Sequence, residues 1–190
     1  GTKGLIAHYD FESTASDLTD NGLDCAVAGV SKYVPGRFGK SALMLDGASN
    51  YVRIPASAAT LSETTVAVWV YSPGTIAADS RLFHFGADNT RYAALSLNQA
   101  GEIVLTLKHG EEEQKVSAGA FPEGWHHLAL TIGQNATTIY IDGEAKGVAT
   151  SATASLSDIS PVCNYIGCGP DNSTPLMNGY VDDLRIYNYE

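Results

Sequence analysis

Thr65-Val66-Ala67-Val68-Trp69-Val70-Tyr71 alternates without a break, Val66, Val68 and Val70 on one side and Ala67, Trp69 and Tyr71 on the other. Successive side chains of an extended strand point to opposite faces, so this spacing predicts a half-buried strand with its valines toward a core. The same alternation recurs outward in both directions. Leu5, Ala7, Tyr9 and Phe11 interleave with Ile6, His8 and Asp10. Further runs cover residues 41–45, 51–54, 81–85, 92–97, 103–108, 125–132, 138–141, 164–166 and 180–187. Their parity directs Val52, Ile54, Phe83, Phe85, Leu128, Leu130, Ile139, Ile141, Leu184 and Ile186 inward.

Between the runs lie the residues that turn a chain. Residues 13–24 are crowded with Asp, Asn, Ser, Thr and Gly, whose side chains bond locally to the backbone in place of ladder pairing. Most of the nineteen glycines fall between runs, and Asp46-Gly47 and Asp142-Gly143 read as hairpin turns. No amphipathic helix and no fixed-period repeat is present. The pattern predicts an all-β chain of two packed antiparallel sheets with about a dozen strands.

At 190 residues with 44 % apolar composition, the chain suffices for one sizeable core, and a single domain over residues 1–190 is expected. No stretch nears the roughly 18 consecutive apolar residues of a membrane helix, so no membrane insertion is expected. Gly1-Thr2-Lys3 reads as a trimmed start, any export signal missing from it. Eleven basic against twenty-one acidic residues leave a net charge of −10, which repels phosphate backbones and anionic membranes and argues against a nucleic-acid partner. Glu111-Glu112-Glu113 beside Gly110 reads as a solvated hairpin tip.

Cys25, Cys163 and Cys168 are too few for a disulfide framework. Were residues 163–168 one extended strand, five steps of ~3.3 Å would hold that pair beyond the ~7 Å limit, so an internal bridge would involve Cys25. Buried free thiols are the simpler expectation. Asn135-Ala136-Thr137 and Asn172-Ser173-Thr174 match glycosylation sequons in turn regions.

The ordered set His8-Tyr-Asp-Phe-Glu12, Gly36-Arg-Phe-Gly-Lys-Ser-Ala-Leu-Met-Leu-Asp-Gly47, Asn50-Tyr-Val-Arg-Ile-Pro55, Val66-Ala-Val-Trp-Val70, Gly124-Trp-His-His-Leu128, Ile139-Tyr-Ile-Asp-Gly143 and Val181-Asp-Asp-Leu-Arg-Ile-Tyr-Asn188 resembles LamG-like domains of the concanavalin A-like lectin/glucanase superfamily. The match runs from about Gly4 to Asn188. It implies a jelly-roll sandwich of the kind appended to secreted bacterial glycan-processing or cell-surface proteins. Most of these motifs have structural reasons, and Trp125 is expected in the core. The resemblance also implies one structural calcium, with Asp182 as its carboxylate and the main-chain carbonyls of Asp10 and Gly39 completing the set. The alternative is that Asp182 or Asp183 pairs with Arg185 or caps a turn.

Catalytic patterns are absent. A retaining glucanase needs two carboxyls ~5 Å apart, and no Glu-x-Asp-x-Glu occurs. A lyase built on His84, His127 and Tyr140 has no spacing that requires it. Gly39-Lys40-Ser41 lacks the earlier glycine of a phosphate loop, Val34 standing there, and a strand follows it in place of a helix. His126 and His127 point to opposite faces and cannot share a metal. No Gly-x-Ser-x-Gly, His-Glu-x-x-His or Cys-x-x-Cys is present.

The non-core parity places Trp69, Tyr71, His84, His127 and Tyr140 on an outer face, with Arg81, Arg91 and Asn98 as nearby hydrogen-bonding groups. Sugars present apolar C–H faces that stack on aromatic rings while their hydroxyls seek polar partners. The expectation is therefore a non-catalytic carbohydrate-binding accessory module, extracellular, cell-surface or periplasmic, joined to a neighbouring catalytic domain in a longer chain. The rival expectation is a structural or adhesive module, its aromatics a second packing layer under loops or a partner.

Overall fold

In the computed structural model, residues 4–59, 63–133, 135–150, 159–171 and 174–189 are described. They form fifteen strands: β1 (Leu5–Tyr9), β2 (Ala26–Ala28), β3 (Tyr33–Val34), β4 (Ala42–Asp46), β5 (Tyr51–Ile54), β6 (Thr64–Ser72), β7 (Arg81–Gly86), β8 (Arg91–Leu97), β9 (Glu102–His109), β10 (Glu112–Ala120), β11 (Gly124–Ile132), β12 (Ala136–Ile141), β13 (Glu144–Thr150), β14 (Cys163–Ile166) and β15 (Asn178–Tyr187). A short 3₁₀ turn, Ala56–Ala58, is the one helical element among them. Among the described residues no helix is long and apolar enough to cross a membrane.

Two antiparallel sheets face each other. The first runs β13-β12-β11-β6-β15-β4-β3 with β1 also paired to β15, and the second runs β10-β9-β8-β7-β14-β5-β2. The chain repeatedly leaves one sheet for the other, at β1 to β2, β2 to β3, β4 to β5, β5 to β6, β6 to β7, β10 to β11, β13 to β14 and β14 to β15, which is the crossing pattern of a jelly roll.

Period-two burial gives the reason for this architecture. β6 is buried at every second position, and Val66, Val68 and Val70 are inaccessible. Leu128, Leu130 and Ile139 join them from the first sheet. Phe83, Phe85, Leu95, Leu105 and Leu107 meet them from the second. Each such side chain contributes about 1.5–3 kcal/mol relative to exposure, which fixes which face of every strand looks inward. Tyr9 and Phe11 close the core beside β15, and the Tyr9 hydroxyl donates to the Leu23 carbonyl.

Asp142-Gly143 is a tight hairpin between β12 and β13, with both residues at positive φ, 51° and 82°. Asp46-Gly47 is not a hairpin: β4 belongs to the first sheet and β5 to the second, so this turn carries the chain across the sandwich. The Asp46 carboxylate accepts the Ala48 and Ser49 N–H groups and the Ser49 hydroxyl and is paired with Lys32. Asn50, fully buried beneath it, donates to the Val30 and Met44 carbonyls and accepts from the Asp46 N–H. An Asp-Gly pair supplies turn chemistry; whether the next strand pairs with the last depends on where the core lies.

Glu111-Glu112-Glu113 is exposed at the β9–β10 hairpin. All three cysteines are free, Cys25 and Cys168 buried and Cys163 half-buried. Asn135 of the first sequon is exposed, whereas Asn172 and the Gly1-Thr2-Lys3 start lie outside the described residues.

Candidate sugar-binding faces and the Asp182 corner

Strand alternation sends a second set of side chains outward from each sheet, and both outer faces carry aromatic rings. On the first sheet, register aligns Asp182, Trp69 and His127 in one row and Tyr180, Tyr71 and Trp125 in the next. Trp69 meets His127 edge-on at 5.3 Å, while Tyr71 stacks on Tyr180 at 4.9 Å and meets Trp125 at 5.6 Å. Tyr140 stands on β12 opposite Ala129, one strand beyond His127. Burial holds the His127 pKa below the ordinary histidine range. These half-buried rings pack against one another as a layer laid on the sheet.

Trp69, Tyr71, His127 and Tyr140 thus share one face, but His84 does not. It lies on β7 of the second sheet, beneath the opposite surface of the sandwich. Parity was sufficient to turn it away from the core but could not say from which sheet. Arg81 and Arg91 belong to the second sheet for the same reason, and Asn98 is spent in the β8–β9 turn, bonded to Ala100 and Glu102. Trp125 corrects the expectation of a core residue. It has the parity of His127, opposite to Leu128 and Leu130, and sits outward against Tyr71.

The second sheet's outer face holds a cavity. A straight row runs Arg53, Tyr165, His84, Ala94, Thr106 across β5, β14, β7, β8 and β9. At its Arg53 end is a depression of about 340 Å³ lined by Tyr51, Arg53, Tyr165, Cys168, Asp171 and Thr174. Tyr51 and Tyr165 meet edge-to-face at 5.9 Å, and Arg53 donates to the Tyr51 hydroxyl at 3.0 Å. The volume is within the range of about 300–1,000 Å³ typical of small-ligand sites.

A polar chain fixes the rim. The Arg81 guanidinium donates to His84 Nδ1 at 2.7 Å and lies over the Tyr92 ring at 4.6 Å. It also reaches Asn89 Oδ1 at 3.4 Å, and Asn89 donates to the Asp171 carboxylate at 2.9 Å. Burial, and secondly the neighbouring Arg81 charge, push the His84 pKa down to about 3, so His84 accepts from Arg81 as a neutral ring. Burial raises the Cys168 thiol to about 12, which leaves it protonated at neutral pH. Tyr51, Arg53 and Tyr165 were legible in principle, since Val52, Ile54 and Ile166 point inward and their neighbours must point out.

A third locus joins the first turn to the last strand. β15 carries a bulge between Asp182 and Arg185, with Asp183 at φ 49°. Asp183 is drawn to His8 at 2.6 Å and to Arg185 at 3.4 Å. Asp182 is 1 % exposed, and its Oδ2 accepts the Phe38 N–H at 2.8 Å. Its Oδ1 has no hydrogen-bond partner among the described residues. Burial pushes the Asp182 pKa up, opposed by the N–H groups of Phe38, Asp183 and Arg37. Glu12 accepts the Lys40 and Ser41 N–H groups, and the Ser41 hydroxyl donates to the Phe11 carbonyl. Asp10, two residues before Glu12 and bonded to its N–H, and Gly39, between Phe38 and Lys40, therefore flank the same corner. Among the described residues no group of three His, Cys, Asp or Glu side chains is placed to hold a metal. The chemistry fits a hard cation that takes one carboxylate and main-chain oxygens.

Comparison with known proteins agrees with this architecture. Domain 4 of AbnA, a GH43 extracellular arabinanase from Geobacillus stearothermophilus solved in complex with arabinotriose, superposes with a TM-score of 0.80 at 26 % identity, over 97 % of this chain and 92 % of that one. The binding domain of Paraclostridial Mosquitocidal Protein 1 aligns with a TM-score of 0.76 at 19 % identity, over 99 % of this chain and 49 % of the other. The botulinum neurotoxin serotype D/C binding domain gives 0.75 at 15 %, over 100 % and 50 %. This chain spans about half the length of those two toxin domains, whose likeness is one of fold. No match was found among curated proteins. The family model described as the concanavalin A-like lectin/glucanases superfamily matches residues 46–190. That span is most of the chain, and the protein belongs to this superfamily.

Proposed function

We propose that the protein is a non-catalytic carbohydrate-binding module of a secreted or cell-surface glycan-processing protein, and that the sugar occupies the depression on the second sheet. The observation that carries this is the pairing of two tyrosine rings with Arg53 and Asp171 around one cavity of about 340 Å³. The rings offer apolar surface to sugar C–H faces, and the guanidinium and carboxylate offer a donor and an acceptor to hydroxyls. The similarity over nearly the whole of an arabinanase domain solved with arabinotriose supports a short oligosaccharide as ligand. A non-catalytic role is supported by the lining itself, in which Asp171 is the one carboxylate among the described residues and the thiol is protonated.

Calorimetric titration with arabinotriose and a panel of polysaccharides tests this. Binding that weakens about tenfold or more in Tyr165→Ala and Tyr51→Ala, and survives Trp69→Ala, is the expected result. Loss in Trp69→Ala and Tyr71→Ala alone would move the site to the first sheet. No binding across the panel would favour the adhesive alternative.

A calcium ion at the Asp182 corner is part of the same proposal. Asp182 would hold it through its carboxylate, with the Asp10 and Gly39 carbonyls, and the ion would neutralise a buried charge whose Oδ1 has no partner among the described residues. Thermal melting in calcium against chelator tests it: a concentration-dependent rise in Tm is expected, and identical curves would reject the ion.

A further inference from the structure

We propose that Asn89, which does not line the second-sheet depression, orients the Asp171 carboxylate and makes the site select a sugar by a free hydroxyl that donates to it. This rests on the sugar reading of that cavity and adds the residue that decides what the cavity asks of its ligand. Asn89 stands in the β7–β8 loop, which is firmly fastened. The Asp88 carboxylate accepts the Thr90 and Arg91 N–H groups and the Thr90 hydroxyl. Ala87 N–H donates to the Arg91 carbonyl, and Gly110 N–H to that of Thr90. Gly86 lies so close to the Arg91 carbonyl that a side chain there would run into it.

Asn89 itself is exposed, so packing does not fix its side chain; its two neighbours do. One is a guanidinium, which only donates, and the other a carboxylate, which when ionised only accepts. An amide between them has a single arrangement: Oδ1 toward Arg81 at 3.4 Å and Nδ2 toward Asp171 at 2.9 Å. Arg81 is held in turn by the neutral His84 ring at 2.7 Å and by the face of Tyr92. Donor and acceptor order is therefore dictated from the buried His84 to the cavity rim. A carboxylate can accept about four hydrogen bonds, so the one from Asn89 leaves Asp171 the capacity to take a ligand hydroxyl. Two substitutions reverse this order in different ways. With Asp171→Asn the new amide must give its oxygen to Asn89, and it turns its NH2 to the cavity, a donor where an acceptor stood. With Asn89→Asp two carboxylates face each other and repel. With both changes, the amide at position 171 donates to the carboxylate at position 89 and turns its oxygen back to the cavity.

Calorimetric titration with arabinotriose and the same polysaccharide panel, beside melting curves that verify folding, tests this on Asn89→Asp, Asp171→Asn and the double variant. Each single change should weaken binding about five- to tenfold. The double variant should recover to within about threefold of wild type, a reversal that loss of folding cannot produce. Wild-type affinity in Asn89→Asp, or losses that multiply in the double variant, would overturn the role of Asn89 while the sugar site stands. No binding by the wild type overturns the sugar site and the role of Asn89 together.

Discussion

Replacing His84 with phenylalanine should change how stability depends on pH more than stability itself. His84 is fully buried, opposite Tyr165 and Ala94 in the second sheet and beside the Tyr92 ring at 5.0 Å, so a phenyl group keeps most of its packing. Its pKa falls from the ordinary 6.5 to about 3, by burial first and the Arg81 charge second. Between those values acid protonates the unfolded chain but not the folded one. The contribution of the neutral ring is therefore complete above about pH 6.5 and is lost progressively as pH falls toward 3. At about pH 4.5, some two units below the unfolded value, the loss should be roughly 2–3 kcal/mol. Urea denaturation of wild type and His84→Phe, near pH 7 and at that lower pH, isolates the effect, because every other titrating group is common to both. The wild type should lose about 2–3 kcal/mol more than the variant over this interval. Parallel losses would show that the ring is reached by water or protonated in the fold, and would refute the buried, neutral acceptor for Arg81.

Asp46→Ala removes the acceptor for the Ala48, Ser49 and Asn50 N–H groups, the Ser49 hydroxyl and Lys32 at the crossing turn; a loss of roughly 1–3 kcal/mol by urea melting is expected. Leu128→Ala opens a cavity in the inaccessible centre of the first sheet and should cost about 2–5 kcal/mol in the same assay. With a thiol reagent at neutral pH, half-buried Cys163 should react first, while Cys25 and Cys168, buried and pushed up to about 12, react only on unfolding. Three equally fast thiols would contradict the burial of the other two.

Period-two alternation was enough to read the sandwich, because burial acts on every second residue of each strand and leaves its mark in the valine row of β6 and the leucines of β11. What alternation cannot encode is the sheet to which a strand belongs. β4 and β5 flank an Asp-Gly turn and read as partners, and His84 shares outward parity with Trp69; both assignments depend on long-range pairing that no local pattern carries. β2 and β3 are two or three residues long and make no periodic signal. β10 and β13 are edge strands whose exposed residues dilute the alternation. The second-sheet depression is illegible in the sequence for a different reason: it is assembled from β5, β14 and the segment after β14, more than a hundred residues apart. Only its parity was visible, in the outward positions of Tyr51, Arg53 and Tyr165.

Nitrogen-edited NMR titration of the protein with arabinotriose bears most directly on the proposed sugar-binding site. Saturable shifts at the backbone of Tyr51, Arg53, Tyr165 and Asp171, with the Trp69 and Trp125 indole N–H signals unmoved, are the predicted result. Shifts centred on those two indoles, with the residues around Tyr165 silent, would contradict it.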